Sequence, residues 1–260
     1  MAVEDVGAGR RARRRRATRS GDASRVAGLD LTLLLLVPGA LVVLALFFYP
    51  FLHGLGLSFE PLEGDALANY RQFFTTPRLY DTIATTLWLA VPATLINVGF
   101  AVPIAFAVRH LRHQRVLTAI LVVPITLGTV LIAEGLLGYL GPQGWLNRVL
   151  TGIGLVDAPL QLTHNYWGVL LSLIVSEFPF AFLLTLSYLT GIDPALPQAA
   201  ATLGAGPTAQ FRHIYLPLLA PGLAITFCLT FVQAFSVFPS AVLLGAPAGA
   251  TRVISIAAYE

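Results

Sequence analysis

The chain has 260 residues, of which 56% are hydrophobic and only 11% are charged, and its formal net charge is +3. Soluble domains carry about 25% charged residues, so the composition excludes an ordinary soluble domain and predicts an all-α polytopic membrane protein. The single cysteine, Cys228, lies in an apolar run. This excludes a disulfide within the chain and a cysteine zinc site.

The N-terminal region carries a dense basic tract, RRARRRRATR, from Arg10 to Arg19. Because the tract precedes an apolar run, the positive-inside rule predicts that residues 1–28 form a disordered cytoplasmic tail. The tract could also contact anionic membrane lipid. A nucleic-acid-binding arm is an alternative, but the adjacent span favours the membrane, and no nucleic-acid partner is predicted.

Five apolar runs are long enough to cross the hydrocarbon layer of a membrane, which requires about 20 residues. Their predicted bounds are 29–52, 83–108, 117–140, 166–189 and 218–238. The segment RHLRHQR between the second and third spans contains Arg109, Arg112 and Arg115, which places it on the cytoplasmic side. Strict alternation then predicts that the segments 53–81, 141–165 and 239–260 are external.

Two histidines in the same segment, His110 and His113, have a spacing that could bind a metal. Arginines surround them, and no acidic or cysteine ligand lies near them in the sequence. No metal site is predicted.

Polar residues inside the spans are candidates for a translocation path. Glu177 lies deep in the fourth span, Glu134 lies nearer the external end of the third, and Asn97 lies in the second. A carboxylate inside a bilayer is costly and normally faces a bundle interior or an aqueous cavity. The functional interpretation is a path for a cation or a cationic substrate. The alternatives are a carboxyl group bonded to a neighbouring helix or lying near a wet interface, and, for Asn97, a bond between helices.

The loop between the fourth and fifth spans, residues 190–217, has the composition of a folded element. An Asp-Pro pair typical of an N-cap and a first helical residue predicts a short helix over 195–203. Gly204 and Gly206 permit a sharp turn. Pro207 can begin a second short helix that ends near Pro217, so a helix-turn-helix on the cytoplasmic membrane surface is predicted.

The spacing in this loop resembles the EAA loop of permease subunits of type I ABC importers. That pattern is Glu-Ala-Ala, three residues, Gly, nine residues, then Ile, any residue and Leu-Pro. Gln198 departs from it, because the family usually has Glu there, and the carboxylate that could form a salt bridge is missing. The positions that match are Ala199, Ala200, Gly204, Ile214, Leu216 and Pro217.

The resemblance extends, with less specificity, to other parts of the chain. The segment GWLNRVL is similar to a family pattern at Gly144, Asn147 and Leu150. The approach to the loop, FPFAFLLTLSYL, looks closest to polyamine, ferric-ion and phosphonate permeases. Family members usually have six spans, so we expect a sixth helix to follow Glu260.

The resemblance implies a transmembrane permease subunit of an ATP-driven importer in the bacterial cytoplasmic (inner) membrane. In such importers the EAA loop docks on a cytoplasmic ATPase and carries its motion to the membrane helices. The implied partners are these ATPase subunits, a second permease subunit and an extracytoplasmic solute-binding protein. The implied substrate is a small polar solute such as a polyamine, with sugar, phosphonate or ferric ion as alternatives.

The chain itself is expected to be non-catalytic and to bind no cofactor, with ATP and Mg held by the partner ATPase. It contains no lysine and no G-x-x-x-x-G-K-[ST] motif, so it cannot be a conventional P-loop ATPase. An ion-coupled secondary transporter that uses Glu134 and Glu177 is the alternative class. Such a transporter is expected to show inverted repeats and broken helices at matched positions, and the sequence shows neither.

Overall fold

The computed structural model describes residues 36–61, 64–109 and 111–258. These residues are largely helical and include no β-strand. Five of their helices are long and apolar enough to cross a membrane, which confirms the predicted class of fold. The predicted basic tail over 1–28, the beginning of the first predicted span and His110 lie outside the described residues.

The helices follow one another with short connections, and a single π-helical turn (Phe211–Tyr215) joins two of them. In chain order they are α1 (Leu36–Ser58), α2 (Ala68–Thr75), α3 (Pro77–Val108), α4 (Gln114–Leu140), α5 (Trp145–Gly152), α6 (Tyr166–Thr190), α7 (Ala195–Thr202), α8 (Pro207–Gln210), α9 (Leu216–Phe235), α10 (Pro239–Leu243) and α11 (Ile254–Ala257).

The described residues form two compact units that divide after Phe73. In the first unit, the end of α1 is tied to the beginning of α2. The hydroxyl oxygens of Ser58 and Tyr70 lie 2.8 Å apart, and the side-chain amide of Asn69 donates to the carbonyl of Ser58 at 3.1 Å. The helix α1 therefore continues to Ser58, beyond the predicted end of the first span at Leu52.

The second unit is built around α6, which packs against α3, α4 and α9. Two apolar clusters hold it together. The cluster next to the 190–217 loop, the loop-end core, consists of Ala101, Ala105, Val108, Ala181, Phe182, Leu186, Leu189, Tyr215 and Leu219. The other cluster, the far-end core, consists of Leu89, Ala93, Ala133, Val169, Leu170, Leu173, Val237, Ala241, Leu244, Val253 and Ile256. Alanines on α3 in both clusters allow close approach of helix backbones.

The helix α3 begins at Pro77, six residues before the predicted start of the second span at Ile83. Proline is favoured in a first turn because its missing N–H would have no partner there. The hydroxyls of Thr82 and Thr86 donate to carbonyls within the same helix, at 2.6 Å each. These bonds satisfy hydroxyl groups that are buried at the start of the span.

The third span is not the uninterrupted helix that the sequence predicted. Gly128 in α4 has φ of 75° and ψ of 163°, a conformation that glycine adopts readily and other residues rarely do. Pro124, one turn earlier, has no N–H to donate to the carbonyl of Ile120. The proline and glycine together interrupt the helical hydrogen-bond ladder in the middle of the span.

The chain after α9 folds back into the far-end core. Val253 is fully buried, and the N–H of Ile254 donates to the hydroxyl of Thr86 on α3 at 2.9 Å. The hydroxyl oxygens of Ser240 and Ser172 lie 2.9 Å apart. The part of residues 239–260 that the structure describes therefore packs on the helix bundle, and its location on the external side of the membrane stays a prediction.

Candidate functional site

The 190–217 loop begins with the predicted capped helix and glycine turn. Oδ1 of Asp193 accepts a hydrogen bond from the N–H of Ala195 at 2.8 Å, at the start of α7. Gly204 has φ of +83°, and a Cβ added there would meet no atom within 4 Å. The backbone conformation is therefore the feature that demands glycine at this position. Gly206 has an ordinary φ of −69° at the start of α8.

The second helix of this loop is not the separate short helix that was predicted. The α8 helix, the π-helical turn and α9 form one continuous helix over Pro207–Phe235, so Leu216 and Pro217 lie inside it. The N–H of Leu216 donates to the carbonyl of Phe211, the wider spacing of a π-turn. Pro217 has no N–H and follows this turn directly, so the helix accommodates the proline without ending.

The residues that match the EAA pattern divide between the tip of the loop and its stem. Gln198, Ala199 and Gly204 are exposed near the tip, and Ala200 is half-buried beside them. The other matched residues lie on the continuous helix that forms the stem, where Ile214 is half-buried and Leu216 and Pro217 are exposed.

Exposed leucines accompany the small residues at the tip. Leu203, directly before Gly204, is 89% exposed, and Leu196 on α7 is 47% exposed. We call Leu196, Ala199, Leu203 and Gly204 the apolar tip. Contiguous exposed apolar surface is found where proteins contact a partner or a membrane. Leu203 was not among the site residues predicted for the loop, although its position immediately before a turn glycine is visible in the sequence.

The stem of the loop is held against the end of α3 by aromatic rings and a cation. The ring of Phe106 lies 4.9 Å from that of Phe211 and 5.2 Å from that of Tyr215, both edge to face. The guanidinium carbon of Arg109 lies 3.3 Å from the ring centre of Phe106 and 4.3 Å from that of Tyr215. Burial lowers the pKa of Arg109, opposed by a smaller contribution from Tyr215, and the guanidinium remains charged at neutral pH.

A second candidate site, which is polar, lies between the two cores, where α3 meets α6. Asn97 is fully buried and Glu177 is 4% exposed. The side-chain nitrogen of Asn97 lies 3.5 Å both from Oε2 of Glu177 and from the carbonyl oxygen of Leu173, so both hydrogen bonds are long. Within the described residues, Oδ1 of Asn97 has no hydrogen-bond partner. The structure thus brings together two of the three predicted path residues.

Glu177 lines a cavity of about 260 Å³, here called the Glu177 cavity. The cavity lies beside the break at Gly128 and the segment that follows α9. Among the residues that the structure describes, no basic side chain lines it. Its other lining residues are Thr129, Leu173, Ser176, Gln233, Ser236, Val237, Pro239 and Ser240. Sequence analysis missed these hydroxyl and amide groups, because similar residues recur throughout the spans.

Glu134, the third predicted path residue, is placed elsewhere. Its side chain is exposed on α4, and it is not among the residues that line the Glu177 cavity. The two intramembrane carboxylates therefore do not form one site within this chain.

The described residues thus form apolar helices with a polar cavity between them and a structured, exposed loop at one end. The chain belongs to the family described as "binding-protein-dependent transport system inner membrane component", whose model matches residues 93–260. This family consists of multi-pass inner-membrane proteins, and the recognised resemblance to importer permeases is confirmed.

Among curated proteins, the chain is similar to the spermidine/putrescine transport system permease protein PotB of Haemophilus influenzae. The two are 28% identical over 181 residues, which are 69% of this chain and 63% of that protein. The Escherichia coli protein of the same name is 28% identical over 69% of this chain and 66% of its own. The probable sulfate transport system permease protein cysT of Prototheca wickerhamii is 30% identical over 161 residues, 61% of each chain. The aligned region thus spans less than two thirds of each relative.

Among solved structures, the chain is similar to one in a bacterial alginate ABC transporter, crystallised in complex with an alginate pentasaccharide-bound periplasmic protein. The TM-score is 0.72 and the identity 23%, over 87% of this chain and 80% of that chain. A second structure, of a bacterial ABC transporter involved in alginate import, gives a TM-score of 0.72 at 21% identity, over 88% and 83%. These similarities establish a shared fold.

Proposed function

We propose that this chain is the transmembrane permease subunit of an ATP-driven importer and that its 190–217 loop couples it to a cytoplasmic ATPase. One observation carries the proposal: the exposed apolar tip is joined, through the turn at Gly204 and Gly206, to a helix that continues without a break into a membrane span. Only this short turn separates the tip from the helix, so a partner that binds the tip is well placed to move the span. The absence of lysine from the chain supports an energy source in a partner protein.

The proposed substrate is a cationic polyamine. The named relatives transport two different kinds of solute, spermidine or putrescine in one case and sulfate in the other. The Glu177 cavity contains a buried carboxylate among hydroxyl and amide groups. A carboxylate attracts an ammonium group and repels a sulfate anion, most strongly where little water screens them. In its ionised form, which a bound ammonium group would stabilise, Glu177 therefore favours the polyamine over sulfate or phosphonate.

Glu134 supports the proposed second permease subunit. It is exposed on α4, in a segment long and apolar enough to cross a membrane. A carboxylate that faces lipid is costly, and such residues normally face protein or water. A partner subunit that covers this face of α4 would remove the cost. We also propose an external solute-binding protein, in keeping with the description of the family.

Uptake by purified components tests the proposal. The permease, its ATPase and a second permease subunit are reconstituted in liposomes, and uptake of labelled spermidine delivered by the solute-binding protein is measured. We expect uptake with ATP and none with a non-hydrolysable analogue. Uptake driven by a proton or sodium gradient without ATP would instead support the secondary transporter. ATP-driven uptake of sulfate or a sugar but not spermidine would overturn only the proposed substrate.

The proposed orientation has a cytoplasmic N-terminus and a cytoplasmic 190–217 loop. It is tested in a Cys228→Ser background with single cysteines at Arg112 or Arg148. An impermeant thiol reagent applied to intact cells is expected to label the cysteine at 148 and not the one at 112. The opposite labelling pattern would reverse the orientation and remove the loop from contact with a cytoplasmic ATPase.

A further inference from the structure

The stem of the 190–217 loop contacts two spans in two different ways. It is covalently continuous with α9 through the π-helical turn. It also packs laterally on the end of α3, where Phe106 and Arg109 lie against Phe211 and Tyr215. Movement of the stem can therefore be transmitted to the membrane helices in two ways, directly through α9 and by lateral contact through α3.

We propose that Arg109 is a positioning residue that carries movement of the 190–217 loop to α3, so that α3 and α9 move as one body. The inference rests on the proposed coupling of this loop to an ATPase. It assigns to Arg109 a role beyond that of a cytoplasmic topology marker.

The geometry of the ring cluster supports this role. Phe106 and Arg109 are three residues apart, so they lie on the same face of the end of α3. Phe211 and Tyr215 are the first and last residues of the π-helical turn. One side chain of α3 therefore contacts both ends of the turn, and the guanidinium lies against the rings of Phe106 and Tyr215.

A π-turn is the part of this helix most able to change its hydrogen bonding, because its i→i−5 bonds are less favourable than those of the α-helices on either side. If the turn rearranged under load, movement of the tip would be absorbed before it reached the spans. The cation–π contacts with Arg109 oppose such a rearrangement, since they depend on the position of Tyr215. Tyr215 is itself buried in the loop-end core beside Ala105 and Val108 of α3.

The route to α3 has a functional consequence. The same helix carries Asn97, whose side chain contacts Glu177. A displacement of α3 relative to α6 would therefore change the contact between these two side chains. Arg109 thus connects the exposed loop to α3, the helix whose Asn97 contacts Glu177, the residue proposed to bind substrate.

The test compares Arg109→Gln with Arg109→Lys and with Arg112→Gln. Arg112 is exposed in the same short segment, so its substitution removes an equal charge without touching the ring cluster. In the reconstituted importer, Arg109→Gln is expected to retain ATPase docking but to lower the uptake per ATP hydrolysed about fivefold or more, the range of ordinary coupling between sites. Arg109→Lys should recover part of the loss, and Arg112→Gln should match the unmodified chain.

A second measurement does not depend on transport. Amide hydrogen exchange over 207–217 in the purified protein should become faster in Arg109→Gln and stay unchanged in Arg112→Gln. Unchanged exchange and unchanged uptake per ATP in Arg109→Gln would overturn the inference, as would equal losses in both glutamine variants. Absence of ATP-driven uptake in the unmodified importer would instead overturn the proposed function, and faster exchange in Arg109→Gln alone would then support only the structural part of the inference.

Discussion

The two cores of the second unit are built from different interactions. The loop-end core combines alanine and aliphatic residues with two buried rings, Phe182 and Tyr215, and ends in the aromatic and cation–π cluster at Arg109. The far-end core combines small and aliphatic residues with hydroxyl bonds between elements, such as Ser172 with Ser240 and Thr86 with the N–H of Ile254. Asn97 and Glu177 lie between the two.

We infer from this difference that the two ends of the second unit have different functions. Close-packed rings transmit displacement because a packed interior has little space to absorb it. Hydroxyl groups beside a cavity can bind a polar solute, since they supply both donors and acceptors. We therefore expect the loop end to serve coupling and the region beside the far-end core to serve binding. Substitutions at each end should separate the two properties.

The largest expected effect is at the tip of the 190–217 loop. Gly204→Asp should lower uptake at least about tenfold, because a side chain at φ of +83° strains the turn by roughly 1–2 kcal/mol. The new carboxylate would also project from the apolar tip into the partner. Co-purification of the ATPase and substrate-stimulated ATP hydrolysis, measured on one preparation, provide the check.

Gly206→Asp is the matched control, because it adds the same group two residues away where φ is −69°. Aspartate is favoured at this N-cap position, so helix α8 should be preserved and the loss of coupling should be smaller. Full stimulation of the ATPase with Gly204→Asp would identify the loop as a connector and remove the main support for its proposed coupling to the ATPase.

A smaller effect is expected at the carboxylate between the cores. Glu177→Gln should lower uptake about tenfold while the subunits still assemble, because the amide keeps the shape of the side chain but cannot ionise to attract a bound ammonium group. Glu134→Gln should cause a smaller loss, since Glu134 does not line the Glu177 cavity. Transport kinetics of both variants, with assembly checked by co-purification, separate the two glutamates. Unchanged uptake in Glu177→Gln would assign that carboxyl a structural role.

The smallest expected effect is confined to the far-end core. Thr86→Val removes the oxygen that accepts the N–H of Ile254, and an unsatisfied buried donor costs about 1–3 kcal/mol. The apparent melting temperature of the purified chain should fall. Thr85→Val is the control, because among the described residues the Thr85 hydroxyl bonds within its own helix, to the carbonyl of Asp81. Equal shifts in both variants would show that the bond to Ile254 contributes nothing to holding the returning segment.

The structure agrees with the predictions from sequence where the conformation depends on local chemistry. The Asp-Pro cap of α7 and the turn at Gly204 were predicted because capping and glycine φ preferences act within a few residues. The prediction was wrong at the end of the second loop helix, where Pro217 was taken as a stop. Whether a proline ends a helix depends on hydrogen bonding in the turn before it, and here a π-turn accommodates Pro217.

By itself, the sequence determined that the chain is a helical membrane protein with five apolar spans and a structured loop between the last two, because hydrophobic length and turn chemistry are local properties. The tertiary structure alone decided that Asn97 contacts Glu177 while Glu134 lies apart, that the segment after α9 returns to the core, and that Arg109 packs on Tyr215. These contacts join residues distant along the chain. They depend on which faces of the helices meet, and apolar spans with little periodic polarity do not specify those faces.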